Sequence, residues 1–176
     1  PEEIITRDAY DEFAKASYDS VKELKPRMKH GTIVGWVKDN KIPASRRRLY
    51  LTMLGVCGGT DDLPMLEKMI TSGDQDSKLV LDALLGCYLV LRGAEGMDLV
   101  DKHFLANPDA KYTDIWSTIQ SLRVLGQIST SVPRVRLVQS FRLMLERPNL
   151  ADLVIPDLAR WEDWDSTDRL VKLFKD

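Results

Sequence analysis

Arg48–Leu51–Leu54–Gly55 runs into Gly58–Gly59–Thr60–Asp61–Asp62, then Leu63, Leu66 and Ile70. The unit returns as Ala83–Leu84–Leu85, Leu89 and Leu91, then Gly93, then Met97, Val100 and Phe104. It returns again as Ile119, Leu122 and Leu125–Gly126, then Val135, Val138, Phe141 and Leu145. Apolar residues at helical spacing, a break, and apolar residues again describe helix–turn–helix. The period is about 35 residues, inside the range that marks a stacked repeat architecture. Each such unit buries its apolar stripe only against its neighbours, so the sequence predicts a surface for holding partners.

Composition narrows the class. The chain has 176 residues, 44% hydrophobic and 30% charged, which fits a packed soluble fold and excludes a disordered one. The longest apolar stretch, Leu79 to Leu91, is interrupted by Asp82. It is shorter than the ~20 apolar residues a membrane span needs, so it reads as a buried helix. The formal net charge of −2 gives no general attraction to nucleic acid or anionic lipid. No cofactor motif, phosphate-binding glycine loop or metal-ligand spacing appears, and His30 and His103 stand far apart.

The two cysteines, Cys57 and Cys87, each fall in an apolar helical segment. The repeat offset sets Cys87 level with about Thr52, which leaves Cys57 ~7.5 Å further along the helix. Packed helices add ~8–10 Å between axes, and a disulfide needs Cα atoms within ~7 Å. Two free, buried thiols are expected.

Helical periodicity holds along the whole chain. Tyr10, Phe13 and Ala14 predict a first helix with Thr6 as its N-cap; Tyr18, Val21 and Leu24 predict a second, stopped near Pro26. Ile33, Val34, Trp36 and Val37 predict a third, ending near Asp39–Asn40. Four pairs follow: Ser45–Cys57 with Asp62–Ser72, Ser77–Arg92 with Glu95–Ala106, Thr113–Gln127 with Pro133–Glu146, and Leu150–Trp161 with Ser166–Lys175. Ser45 is the expected cap of the first pair. Gly58–Gly59 is expected to supply a left-handed C-cap, with Thr60 and Asp61 capping the next helix. Pro133 suits a first turn, Asn149 is a cap candidate, and Pro156 is expected to kink the helix that contains it. The chain reads as a single domain, residues 1–176. Pro1 replaces Met at its start, and Leu170, Val171, Leu173 and Phe174 end it where a solenoid carries a polar cap, so it reads as part of a longer protein.

The run Arg48-x-x-Leu51-x-x-Leu54-Gly55-x-x-Gly58-Gly59-x-Asp61-Asp62-x-Pro64-x-Leu66 resembles the HEAT-like repeats of bacterial proteins, including those of phycobilin lyase subunits. The start, Asp8–Ala9–Tyr10 to Phe13–Ala14, and the end, Leu153 to Trp164, are similar to the C-terminal part of uncharacterised bacterial HEAT-repeat proteins. The resemblance implies an all-α, right-handed α-solenoid of about five HEAT-like helix pairs and a non-catalytic binding role. The family carries an Asp two residues before the repeat's Arg; Arg46 stands there in this chain, which removes the expected partner of an Asp–Arg ladder.

Candidate contact residues follow from the exposed stripe. Arg46–Arg47–Arg48 fan over ~200° of helix and do not converge on one ligand. Asp82, on a very apolar helix, must face solvent or be paired, and Lys78 lies four residues before it. Gln120, Arg123, Asp157 and Arg160 continue that stripe. Arg134, Arg136, Arg142 and Arg147 form a looser basic set. Trp161–Glu162–Asp163–Trp164–Asp165 sets two tryptophans among three acids; Trp161 reads as core, in the place of Leu125, with Asp165 capping the next helix. Tyr50, Tyr88, Trp116 and Trp161 recur at similar places on successive first helices. The contact residues selected are Arg47, Lys78, Asp82, Arg123, Arg160 and Trp164.

The expected function is a protein–protein interaction scaffold or spacer, with partners elsewhere in the same longer protein or on another chain. A nucleic-acid-binding HEAT-like domain is the second reading, with Trp116–Asp114 or Trp161–Asp157 imitating the base pocket of HEAT-like DNA glycosylases. An enzyme subunit resembling the phycobilin lyase HEAT proteins is the third. No cofactor or metal is expected.

Overall fold

A computed structural model describes residues 16–173, and over them every regular element is a helix. The helix expected at Tyr10, Phe13 and Ala14, with its cap Thr6, lies outside the described residues. The chain divides after Leu91 into two compact units.

In the first unit, α1 (Tyr18–Glu23) starts at Ser17, whose hydroxyl accepts the Ser20 N–H at 3.2 Å, and gives way to a 3₁₀ turn containing Pro26. Then come α2 (His30–Lys38), α3 (Ala44–Cys57), α4 (Leu63–Thr71), the single turn α5 (Gln75–Lys78) and α6 (Leu81–Arg92). Their apolar faces meet in a core of Ile33, Val37, Leu51, Leu54, Leu66, Leu84, Leu85 and Leu89. α3 packs most closely along α2 rather than along α4, its expected mate across the glycine turn.

Three expected caps are corrected. Pro43, not Ser45, is the N-cap of α3, because the helix already begins at Ala44. Neither Gly58 (φ −77°) nor Gly59 (φ −155°) is left-handed. Gly58 is needed for space: a Cβ there would lie 2.6 Å from the Leu54 carbonyl oxygen and 2.7 Å from Asp62 Oδ2. Asp62, not Thr60 or Asp61, holds the turn, its carboxylate accepting the Gly59 N–H at 2.9 Å. Left-handed glycines do end α4 and α6, at Gly73 (φ 67°) and Gly93 (φ 73°).

Both cysteines are free. Cys87 is buried and Cys57 half-buried, and burial pushes both thiols up. The residue level with Cys87 is Gly55, not Thr52: a Cβ on Gly55 would lie 3.6 Å from the Cys87 Cα. A methyl group would fit there at ordinary contact distance, and a larger side chain would push α3 from α6.

In the second unit, α7 (Met97–Val100) runs into a π turn, Asp101–Leu105, closed by Ala106 N–H donating to the Asp101 carbonyl at 2.8 Å. α8 (Tyr112–Ile128) is followed by α9 (Arg134–Leu143), whose N-cap is Pro133. Two 3₁₀ segments, Met144–Glu146 and Pro148–Leu153, lead to α10 (Ile155–Arg160), and a further 3₁₀ turn leads to α11 (Thr167–Leu173). Met97, Val100, Ile115, Ile119, Leu122, Leu137, Phe141 and Val154 fill the core.

Pro156 does not kink a helix running from Leu150 to Trp161. It sits in the first turn of α10, which begins beside it. Proline lacks the N–H a continuing helix requires and its ring collides with the carbonyl four residues back, but its φ suits a helix start. Asn149 lies inside the preceding 3₁₀ segment and caps no α-helix. No helix among the described residues is long and apolar enough to cross a membrane.

Candidate functional site: an arginine pocket beside an exposed helix face

In each unit an arginine joins two helices that are not consecutive in the chain, by the same device. In the first unit, Arg48 Nε donates to both oxygens of Asp82 at 3.0 and 3.1 Å, and its Nη2 donates to the Leu79 carbonyl at 2.6 Å. In the second, Arg123 Nε donates to Asp157 Oδ2 at 2.7 Å, and its Nη2 donates to the Leu153 carbonyl at 2.6 Å. The carboxylate follows its arginine by 34 residues in each case, about one repeat. Fixing both edges of a guanidinium sets the register of two helices, because the planar fork tolerates little rotation.

Arg136, Arg142 and Arg147 of the later basic set are committed to partners within the second unit. Arg136 donates to Asp98 and Asp101 of α7 and its π turn, at 2.9 and 2.7 Å. Arg147 donates to the carbonyls of Asn107 and Pro108 at 3.0 and 3.3 Å. The π turn supports the first of these contacts by presenting Asp101 to Ser140 as well, at 3.0 Å.

Arg142 binds Asp163 through two N–H groups, and Asp165 at 3.1 Å. Asp163, rather than Asp165, therefore precedes the turn leading into α11, and it also accepts from Ser166. The hydrogen bonds from Arg142 hold the Asp163 carboxyl below its ordinary range, against the opposing effect of burial. A depressed carboxylate contributes stability above its unfolded pKa of ~4, which is lost as pH falls through the folded value. Urea unfolding should therefore show Asp163→Asn less stable than the parent at pH 7, with the gap narrowing by pH 3. A gap independent of pH would contradict the assignment.

Arg123 also opens onto a cavity of about 240 Å³ lined by Arg123, Gly126, Gln127, Arg134, Asp157, Arg160 and Trp161. Asp157 is only 1% exposed and lies between two arginines, with Oδ2 on Arg123 and Oδ1 on Arg160 Nη1 at 3.1 Å. Trp161 stacks on Phe141 with ring centroids 5.0 Å apart, and Arg134 lies over its ring at 5.6 Å. Gly126 makes room for this arrangement, since a Cβ there would lie 3.4 Å from the indole and 3.1 Å from Leu137.

Beside the pocket runs an exposed face of α8. Tyr112, Trp116, Val124 and Ile128 are 55%, 41%, 51% and 41% exposed. At ~100° per residue, Trp116, Val124 and Ile128 sit ~40°, ~120° and ~160° around the helix from Tyr112, so these exposed apolar residues wind over nearly half of its circumference. Arg123, seven residues after Trp116, returns to its side and lies 5.7 Å from the indole.

The six selected contact residues fare differently. Arg123 and Arg160 meet on Asp157. Trp164 is 70% exposed on a turn begun by Glu162 in a left-handed conformation (φ 58°). Asp82 is held by Arg48, and Lys78 is half-buried. Arg47 is 3% exposed and has no surface for a partner; its Nε donates to the Val37 carbonyl at 3.1 Å and its Nη1 to the Asp76 carbonyl at 3.3 Å. The aromatic series also separates: Tyr88 is buried and bonded to Glu67, Tyr50 pairs with Trp36, and Trp116 alone of the four is exposed. Comparison with protein-family models, curated proteins and solved structures finds no match for this chain.

Proposed function

We propose that this chain is a HEAT-like α-solenoid module that binds a protein partner and serves as a non-catalytic scaffold or spacer. The repeated clamps from Arg48 to Asp82 and from Arg123 to Asp157 support the repeat reading. The binding role rests on one observation: Tyr112 and Trp116, ~40° apart around α8, stand in water with Arg123 beside the indole. Exposed apolar surface of this kind marks interaction sites, and tryptophan, tyrosine and arginine are the residues that concentrate binding energy there.

The test compares the parent chain with a Tyr112→Glu/Trp116→Glu variant, each immobilised and exposed to a lysate of the organism that carries it. Both side chains are exposed, so the fold should survive, as circular dichroism would verify. A protein retained by the parent and lost from the variant is expected. Equal capture by both would overturn the assignment of the face. A nucleic-acid gel shift at low salt that weakens as salt rises would instead favour the nucleic-acid reading.

A further inference from the structure

We propose that the cavity bounded by α8, α9 and α10 is a binding site for a phosphate monoester in its dianionic form. Three guanidinium groups, from Arg123, Arg134 and Arg160, line it against one carboxylate, Asp157. The local balance is +2, and the carboxylate is already satisfied on both oxygens. Asp157 therefore acts as the orienting group, holding Arg123 and Arg160 on one wall.

Donors remain on that wall. Arg160 gives Asp157 one contact at 3.1 Å and its side chain is otherwise 62% exposed. From α9, Arg134 makes one long contact, 3.4 Å to the Gly126 carbonyl, and lies over the Trp161 ring. Trp161 is itself fixed by its stack on Phe141, so the cationic wall has a rigid backing. A volume of about 240 Å³ admits a compact head group rather than a length of folded chain. A dianion cancels the +2 balance, whereas a carboxylate leaves one positive charge unmatched. Phosphate also presents several oxygens to guanidinium forks at once.

The phosphoryl group has two sources, a small phosphate ester or a phosphorylated side chain of a partner, and the probes separate them. The full chain is titrated at pH 8 and low salt, by calorimetry, with glycerol phosphate, a capped O-phosphoserine amide and acetate. Saturable binding of the phosphorylated probes is expected, with none by acetate at the same concentrations. A preference for the phosphoserine amide assigns the site to a modified partner, and the reverse preference to a small ester.

Arg160→Ala, at an exposed position, should keep the helical circular dichroism spectrum and weaken binding about tenfold or more, the scale of a charge-assisted hydrogen bond. Arg160→Lys, which keeps the charge and loses the fork, should fall between. No saturable binding, acetate binding equal to phosphate, or unchanged affinity in Arg160→Ala would each overturn the proposal. Its failure would leave the α8 face untouched, because the Tyr112→Glu/Trp116→Glu comparison reads that face independently.

Discussion

Asp157→Ala is expected to lower the unfolding free energy of the second unit by about 3 kcal/mol, the lower part of the range for breaking a buried ion pair. Asp157 is 1% exposed and receives two arginines, so its removal leaves Arg123 desolvated with only the Leu153 carbonyl as a partner. Arg123 keeps 21% of its side-chain surface, so water recovers part of the loss. Asp157→Asn keeps the shape and one acceptor and should cost less. Urea unfolding followed by tryptophan fluorescence reads this unit well, since Trp116, Trp161 and Trp164 lie in it and Trp36 alone does not. A loss below about 0.5 kcal/mol, the level of an ordinary surface change, would mean that the clamp does not hold α8 to α10.

Gly58→Ala should destabilise the first unit by about 2–3 kcal/mol, as overpacking does. The added methyl meets the Leu54 carbonyl oxygen at 2.6 Å, and a backbone atom of a residue whose side chain is fully buried has little freedom to retreat. It also meets the Asp62 carboxylate that accepts the Gly59 N–H. Gly59→Ala is the matched control: nothing lies within 4 Å of its Cβ and its φ of −155° is extended backbone. That change should stay within about 0.5 kcal/mol. Thermal unfolding of the two variants side by side tests the distinction, and equal losses would contradict it.

Those two positions show what sequence can and cannot disclose. The helices were legible because their apolar spacing is dictated by burial on one face: Ile33 and Val37, Leu51 and Leu54, and Ile115, Ile119 and Leu122 are all buried. Gly58 was legible as a break but not in its reason, because a close approach between atoms of the same turn leaves no trace in residue type. Pro156 was read as a kink, since nothing before it announces that the chain from Pro148 to Leu153 forms a 3₁₀ segment. The π turn at Asp101–Leu105 likewise has no signal in residue type, and its Asp101 meets Arg136 of α9, 35 residues on.

Of the candidate site, Arg123, Asp157 and Arg160 were read as parts of one exposed stripe; the two arginines do meet on Asp157, but Asp157 is buried, because its carboxylate is held by both of them. Arg47 was selected from the same basic triplet as Arg48, yet only the packing around α3 decides which of the two is buried. Arg134 was named in the looser basic set but not placed beside Arg123, and the exposure of Tyr112 and Trp116 was missed, because each depends on neighbours distant in sequence. One signal was available and unused: an arginine followed one repeat later by an aspartate, at Arg48–Asp82 and again at Arg123–Asp157, matches the period of the leucines.

The central claim is that α8 presents a binding face. The most direct measurement replaces Val124 with a photoreactive amino acid in the natural protein, expressed in its own cells, with the same replacement at exposed Thr60 as the reference. Val124 stands 51% exposed on α8, about two turns along from Trp116 and ~80° around the helix from it. A discrete protein adduct from position 124 that is absent from position 60 and disappears on adding Trp116→Glu is the result the proposal predicts. Adducts of equal yield at both positions, or none at position 124, would contradict it.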